Sequence, residues 1–190
     1  MAKESIPVEL VRSRRKTLAL HITADGKVQV RAPLRTPRPV IRLFVEQHRD
    51  WIETHLAARQ EKLREAAELG TLSPAELEDL KKRAKKVIPA RAAYYAPLVG
   101  VSYGRVSIRT QRSRWGSCSG KGHLNFNCLL MLAPAEVLDY VVVHELCHRL
   151  EMNHSPRFWA QVERVCPDWK ASRRWLRENG DSLMAQIPRD

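Results

Sequence analysis

The densest chemistry in the chain lies in His144-Glu145-Leu146-Cys147-His148. At 3.6 residues per helical turn, positions 144 and 148 stand one above the other on one face, so both imidazoles reach a single ion. Glu145 projects about 100° away around the helix. There it is badly placed to ligate alongside both histidines and well placed to hold a water at the metal, as a general base must. The apolar run Val141-Val142-Val143 ahead of the motif predicts a buried helix. The third ligand is expected at His154. Asn153 tolerates the left-handed end of a helix, Ser155 is a good N-cap, and Pro156 suits the first position of the next helix, so His154 sits at a corner and folds back to the metal. Three neutral imidazoles around zinc leave the fourth tetrahedral position to water, the mark of a catalytic rather than a structural site. By ligand type alone, nickel, cobalt and iron also fit.

Two carboxylates compete for the third place. Glu151 follows His148 by only three residues and is assigned to supporting a ligand or the helix end. Glu163, from a later helix, ranks behind His154 because turn and cap signals account for the position of His154. The spacing of the three histidines equals that of the metzincin motif, but Glu151 stands where that motif has the glycine of its sharp turn, which argues against that branch. A structural metal would need a fourth protein ligand, and none is offered nearby. In the expected mechanism zinc acidifies a water, Glu145 takes its proton as it attacks a carbonyl, and the carboxyl returns the proton to the leaving amine. Candidate oxyanion donors are Arg112, Arg114 and Tyr140, none with a spacing argument behind it.

Several elements must position these groups. Thr17 to Ile22, the turn pair Asp25-Gly26 and Val28 to Val30 predict a β-hairpin. Ile41, Phe44, Val45, Ile52, Leu56 and Leu63 recur at helical spacing, predicting one amphipathic helix to about Leu69 with Gly70 as its stop. Ser73-Pro74-Ala75-Glu76 reads as a capping box opening another helix, which Pro89 is expected to bend or interrupt. Val106 and Ile108, then Leu124, Phe126 and Cys128, alternate as strands do, with Gly116 to Gly122 as a turn-rich connection. Three helical segments follow Pro134 and end near Gly180, before a loosely held tail. The fold class is α+β. The expected division is an N-terminal hairpin and helix over residues 1–70, a core over 71–180 and a tail over 181–190. His123 to Cys128 is expected to form an edge strand that pairs with an extended substrate.

The chain of 190 residues carries 33 Lys+Arg against 21 Asp+Glu, a formal charge of +12. At 44% hydrophobic and 28% charged residues it has material for a core, which excludes a disordered chain. No apolar run is long enough for a membrane span, and Met1 to Lys16 lacks the pattern of a secretory signal, so a cytoplasmic protein is expected. Cys118, Cys128, Cys147 and Cys166 form no C-x-x-C pair and read as free thiols. Residues 1–42 hold ten basic against three acidic side chains. This surface makes a nucleic-acid partner a possibility and a solvated basic surface the simpler reading. Trp115, Trp159, Trp169 and Trp175 are expected to pack the core, Cys147 to pack rather than ligate, and His21, His48, His55 and His123 to stand apart from the site.

Arg114-Trp115-Gly116-Ser117-Cys118, Leu124-Asn125, Tyr140 to His148 and Asn153 to Trp159 together resemble the YgjP-like metallopeptidase domain family. Arg12 to Leu18 and Val30 to Pro33 share the likeness, which spans about Val11 to Leu176. The family is similar to the SprT-like proteases, in which an aromatic follows the third histidine roughly as Phe158 follows His154. The resemblance implies a zincin-like catalytic core of a small antiparallel or mixed sheet plus helices, one Zn2+ on His144, His148 and His154, and Glu145 as base. It implies a peptide or protein substrate. Two other readings stand beside it: a non-catalytic nucleic-acid-binding module with a structural zinc, and a SprT-like protease acting on DNA-bound proteins. The oligomeric state is left open.

Overall fold

A computed structural model describes residues 6–23 and 25–188, and the chain divides into two units, Met1–Glu68 and Leu69–Asp190. In the first, the alternation in Val28-Gln29-Val30-Arg31-Ala32 produces the central strand of a three-stranded sheet. The expected hairpin pairs β2 (Ala19–Ile22) antiparallel to β3 (Val28–Pro33), with Leu20 opposite Val30 and the positive φ of Gly26 closing the turn. A further strand, β1 (Val8–Ser13), lies parallel to β3 on its other side. It is anchored by the Arg12 guanidinium, which donates to the carbonyls of Pro33, Leu34 and Thr36. The piece is therefore a mixed sheet rather than a hairpin.

The single helix expected over residues 41–69 is two, α1 (Arg38–Gln47) and α2 (Arg49–Leu69). At the joint, His48 Nδ1 lies 2.8 Å from the Phe44 carbonyl, the acceptor its main-chain N–H would use in a continuing helix, and that N–H turns to Val45 at 3.2 Å. Ile41, Val45 and Ile52 close on Val28, Val30 and Ala32 to make the core of this unit. Gly70 ends α2 at φ +72°, as its position predicts.

The second unit opens with α3 (Pro74–Val99), entered through a complete capping box between Ser73 and Glu76. Pro89 does not interrupt it: the helix runs through Pro89 and Pro97. The cause is the stripe Leu80, Ala84, Ile88, Ala92, Ala96 and Val99, all buried at nearly four-residue spacing, whose packing outweighs a lost main-chain hydrogen bond. A second mixed sheet follows in the order β4-β6-β5, with β4 (Val106–Arg109) parallel and β5 (Gly116–Cys118) antiparallel to β6 (Leu124–Asn127). Two expectations change here. Gly116 to Cys118 is strand, and only Ser119 to Gly122 is turn, closed by Gly122 N–H on the Ser119 carbonyl. The segment containing β6 is central, not an edge, because β4 and β5 pair with it on its two sides and take up its main-chain N–H and C=O groups.

After a 3-10 turn (Cys128–Leu132) come α4 (Ala135–Cys147), α5 (Pro156–Val165) and α6 (Trp169–Ala185). The helix α4 is buried on nearly all sides. Arg91 of α3 clasps Asp139 of α4 through Nε at 2.6 Å, and Tyr95 donates to the same carboxylate at 3.0 Å. The last helix continues past Gly180 to Ala185, because that glycine serves a close approach instead of a stop: a Cβ there would lie 3.3 Å from the Trp115 ring. Ser182 and Ile187 are buried, so the expected loose tail is packed as far as Ile187, while residues 189–190 lie outside the described ones. Among the described residues no helix is long and apolar enough to cross a membrane.

Candidate metal centre

The buried α4 carries His144 in its last turn and ends on His148 as C-cap, still in right-handed helical conformation. The chain turns through residues 149–154 and enters α5 at Ser155, whose hydroxyl accepts from the Phe158 N–H. Ser155 is thus the expected N-cap with Pro156 at the first position. Asn153 is not left-handed, since among the described residues no non-glycine has positive φ. The reversal is spread over several ordinary conformations. Its result brings His154 back to the helix, and one ligating atom from each of His144, His148 and His154 lies within 4.8 Å of the others.

The Nε2 atoms of His144 and His154 stand 3.0 Å apart, close to the edge of about 3.3 Å that a tetrahedron with Zn–N bonds of about 2.0–2.1 Å requires. His148 Nδ1 donates to the Glu151 carbonyl at 3.1 Å, which leaves Nε2 as its free donor. Glu151 therefore contributes its main chain to orienting a histidine, in line with its expected supporting part. Burial, with the neighbouring His148 and His154, pushes His144 down to about 3, and burial also lowers His148. Both are held neutral, the form that ligates. His144 Nδ1 is buried without a hydrogen-bond partner. Its ring is held by packing, edge-on to Tyr140 and Phe158 at centroid distances of 5.8 and 4.8 Å. Phe158 is the floor of the cluster, with its ring 4.6–4.8 Å from all three imidazoles. Three neutral imidazoles in this spacing fit zinc. Among the described residues no fourth His, Cys, Asp or Glu joins the group.

Glu145 is 6% exposed, and burial pushes its carboxyl up to about 8 against the opposing charge of Arg114. Its position depends on β5. A Cβ placed on Gly116 would lie 2.6 Å from Glu145 Oε1 and 2.7 Å from its Cγ, so only glycine lets the carboxylate rest against this strand. The segment Arg114 to Cys118 thus braces α4, and its glycine does so by leaving space. Asn127 fixes the approach to Gly116, its amide donating to the Gln111 and Arg114 carbonyls at 2.6 and 3.2 Å. A cleft of about 340 Å³ opens between β5 and the histidines, with Met152 among its walls.

The other sequence candidates separate clearly. Glu163 is on α5 and pairs with Lys170 at 3.5 Å, outside the cluster. Arg112 donates to the Ile187 and Pro188 carbonyls and is committed there, whereas Tyr140 and Arg114 remain beside the site. Cys147 is fully buried in the core, His48 and His55 bond to carbonyls one helical turn back, and His123 accepts from the Arg105 N–H. Trp159 does more than fill the core, for it stacks on His154 at 5.7 Å and on Trp169 at 4.2 Å. The signals for Phe158 and Trp159 were their places one helical turn after His154 and Ser155.

The sequence profile of the YgjP-like, metallopeptidase domain matches residues 16–78 and 71–179. Among solved structures, the chain is similar to the metallopeptidase zymogen abylysin of Pyrococcus abyssi, at 23% identity and TM-score 0.44, covering 48% of this chain and 94% of that one. It is also similar to the metallopeptidase zymogen jannalysin of Methanocaldococcus jannaschii, at 18% identity and TM-score 0.38, covering 44% of this chain and 90% of that one. No curated protein sequence matches it.

Proposed function

The chain belongs to the YgjP-like metallopeptidase family and is a peptidase, and from that premise we propose that His144, His148 and His154 would hold one zinc ion and that Glu145 serves as general base in the hydrolysis of peptide bonds. The observation that carries this reading is the convergence of three imidazoles with a buried carboxylate beside them and no fourth protein ligand among the described residues. Zinc bound there supplies Lewis acidity that lowers the pKa of a water and polarises the scissile carbonyl. Glu145 accepts the proton of the attacking water, and its burial, which favours the neutral carboxyl, lets it hold that proton until the leaving amine takes it. Tyr140 and Arg114 are the donors left for the developing oxyanion.

The substrate strand pairs with β5 rather than with the segment His123 to Cys128, because β6 has both edges occupied while β5 has one sheet neighbour. Main-chain pairing to so short an edge reads little side-chain information, so broad sequence tolerance follows.

Two results are expected. Protein purified without a metal-affinity tag contains one equivalent of zinc by elemental analysis; chelation abolishes peptide hydrolysis and added zinc restores it. Protein that takes up no metal when zinc is supplied overturns the reading. Gly116→Ala keeps its zinc but loses about 100-fold in kcat, since an ångström of displacement at a catalytic carboxylate costs on that order. A variant with wild-type kcat would show that the Gly116 contact does not position Glu145.

A further inference from the structure

The stacked rings that brace the third histidine lead away from the metal cluster to a strongly basic surface. Trp159 stacks on His154 with 23° between planes, and Trp169 stacks on Trp159 with 17° between them. Over these rings lies Arg173, its guanidinium carbon 4.9 Å from the Trp159 centroid and 5.9 Å from that of Trp169. Lys170 lies 5.5 Å from the Trp169 centroid. Trp169, Lys170 and Arg173, together with Arg174 and Arg177, line a groove of about 610 Å³ on α6. Four of the chain's 33 basic side chains thus gather here within little more than two helical turns.

Two of these cations, Arg173 and Arg174, carry charge that no carboxylate among the described residues offsets. Lys170 pairs with Glu163, and among the described residues Arg173 donates no hydrogen bond. Stacking on tryptophan fixes the guanidinium plane and leaves its N–H edges unspent, which is how arginine presents a two-pronged donor to a carboxylate.

We propose that this groove receives acidic side chains of the polypeptide being cleaved, making the peptidase selective for substrates with Asp or Glu a few residues from the scissile bond. Two steps, 5.7 Å from the His154 ring to Trp159 and 4.9 Å from Trp159 to the Arg173 guanidinium, separate cluster from groove. An extended chain covers that distance in about two or three residues. Selectivity through the groove is compatible with tolerant main-chain pairing at β5, because charge at a distance and pairing at the strand act on different parts of the substrate. A polypeptide is favoured over a nucleic acid because the rings here are engaged with one another and with Arg173, Trp169 being 8% exposed, rather than open for bases to stack on.

This inference rests on the peptidase reading, so its test reads binding as well as cleavage. Two fluorescent peptides of equal length are used, one with Glu and one with Gln at the second and third positions on either side of the central bond. Zinc-loaded wild type cleaves the Glu peptide with about tenfold higher kcat/KM, the scale of a few exposed ion pairs acting together, and the ratio shrinks as salt is raised. In Arg173→Gln/Arg174→Gln the ratio falls to about one, while in Lys85→Gln/Lys86→Gln on α3 it stays at the wild-type value. Anisotropy on the Glu145→Gln protein shows the same preference in binding. Equal binding and cleavage of both peptides, or a preference that survives the arginine substitutions, overturns the groove. Equal treatment of both peptides together with arginine-dependent binding of a labelled oligonucleotide overturns it in favour of nucleic acid. Preferential binding without any cleavage upholds the groove and counts against the peptidase reading instead.

Discussion

Glu145→Gln is expected to keep its zinc and its melting temperature and to lose peptide hydrolysis by about 100- to 10,000-fold, the usual worth of a positioned general base. The amide has the shape of the carboxylate and fits the same space against Gly116, but it cannot accept a proton from water. Burial at 6% exposure makes the unpaired carboxylate costly in the folded protein, so replacing it with a neutral group leaves stability equal or slightly higher. Three measurements on one preparation separate the possibilities: zinc by elemental analysis, thermal melting, and kcat/KM on a peptide with a contaminant control. Wild-type activity in a folded, zinc-loaded variant would remove Glu145 from the mechanism. Loss of metal along with activity would mean that the carboxylate supports the ligands rather than the reaction.

His154→Ala should lose zinc affinity by more than the tenfold to 100-fold that changes around a ligand shell cost, and Glu163→Ala should keep it. The contrast is sharp because the two residues have different surroundings, one before α5 and one within it. His154 precedes the helix, with its Nε2 3.0 Å from that of His144. Glu163 lies two turns further on, exposed and paired to Lys170. Competition with a zinc-binding dye gives both affinities. The opposite pattern, with His154→Ala retaining metal and Glu163→Ala losing it, would transfer the third ligand to Glu163 and require α5 to sit differently on α4.

Both outcomes turn on residues that a sequence alone brings into view, because the relations among them are local. His144 and His148 share a face through helical periodicity, and Ser155 with Pro156 start α5 whatever lies around them. Caps and stops such as Ser73 and Gly70 are legible for the same reason, since each acts on its own few backbone groups. The α+β class and the β2–β3 hairpin follow from period and turn chemistry over short windows.

What the sequence could not determine are relations between residues distant in the chain. Whether β6 is an edge or a centre depends on β4 and β5 arriving on its two sides, and no pattern within Leu124 to Asn127 records that. Pro89 looks like a helix breaker until the buried stripe from Leu80 to Val99 is packed against the rest of its core. Gly116 looks like a turn residue until Glu145, twenty-nine positions later, is seen to need the volume of its missing Cβ. Arg173 looks like one solvated cation among many until α6 lays it over Trp159 and so beside His154. The grouping of the three histidines is written in spacing because one helix and one turn set it. The space for Glu145, the open side of β5 and the cations laid over Trp159 were decided only by tertiary structure, since each is a contact between elements whose meeting depends on packing of the whole unit.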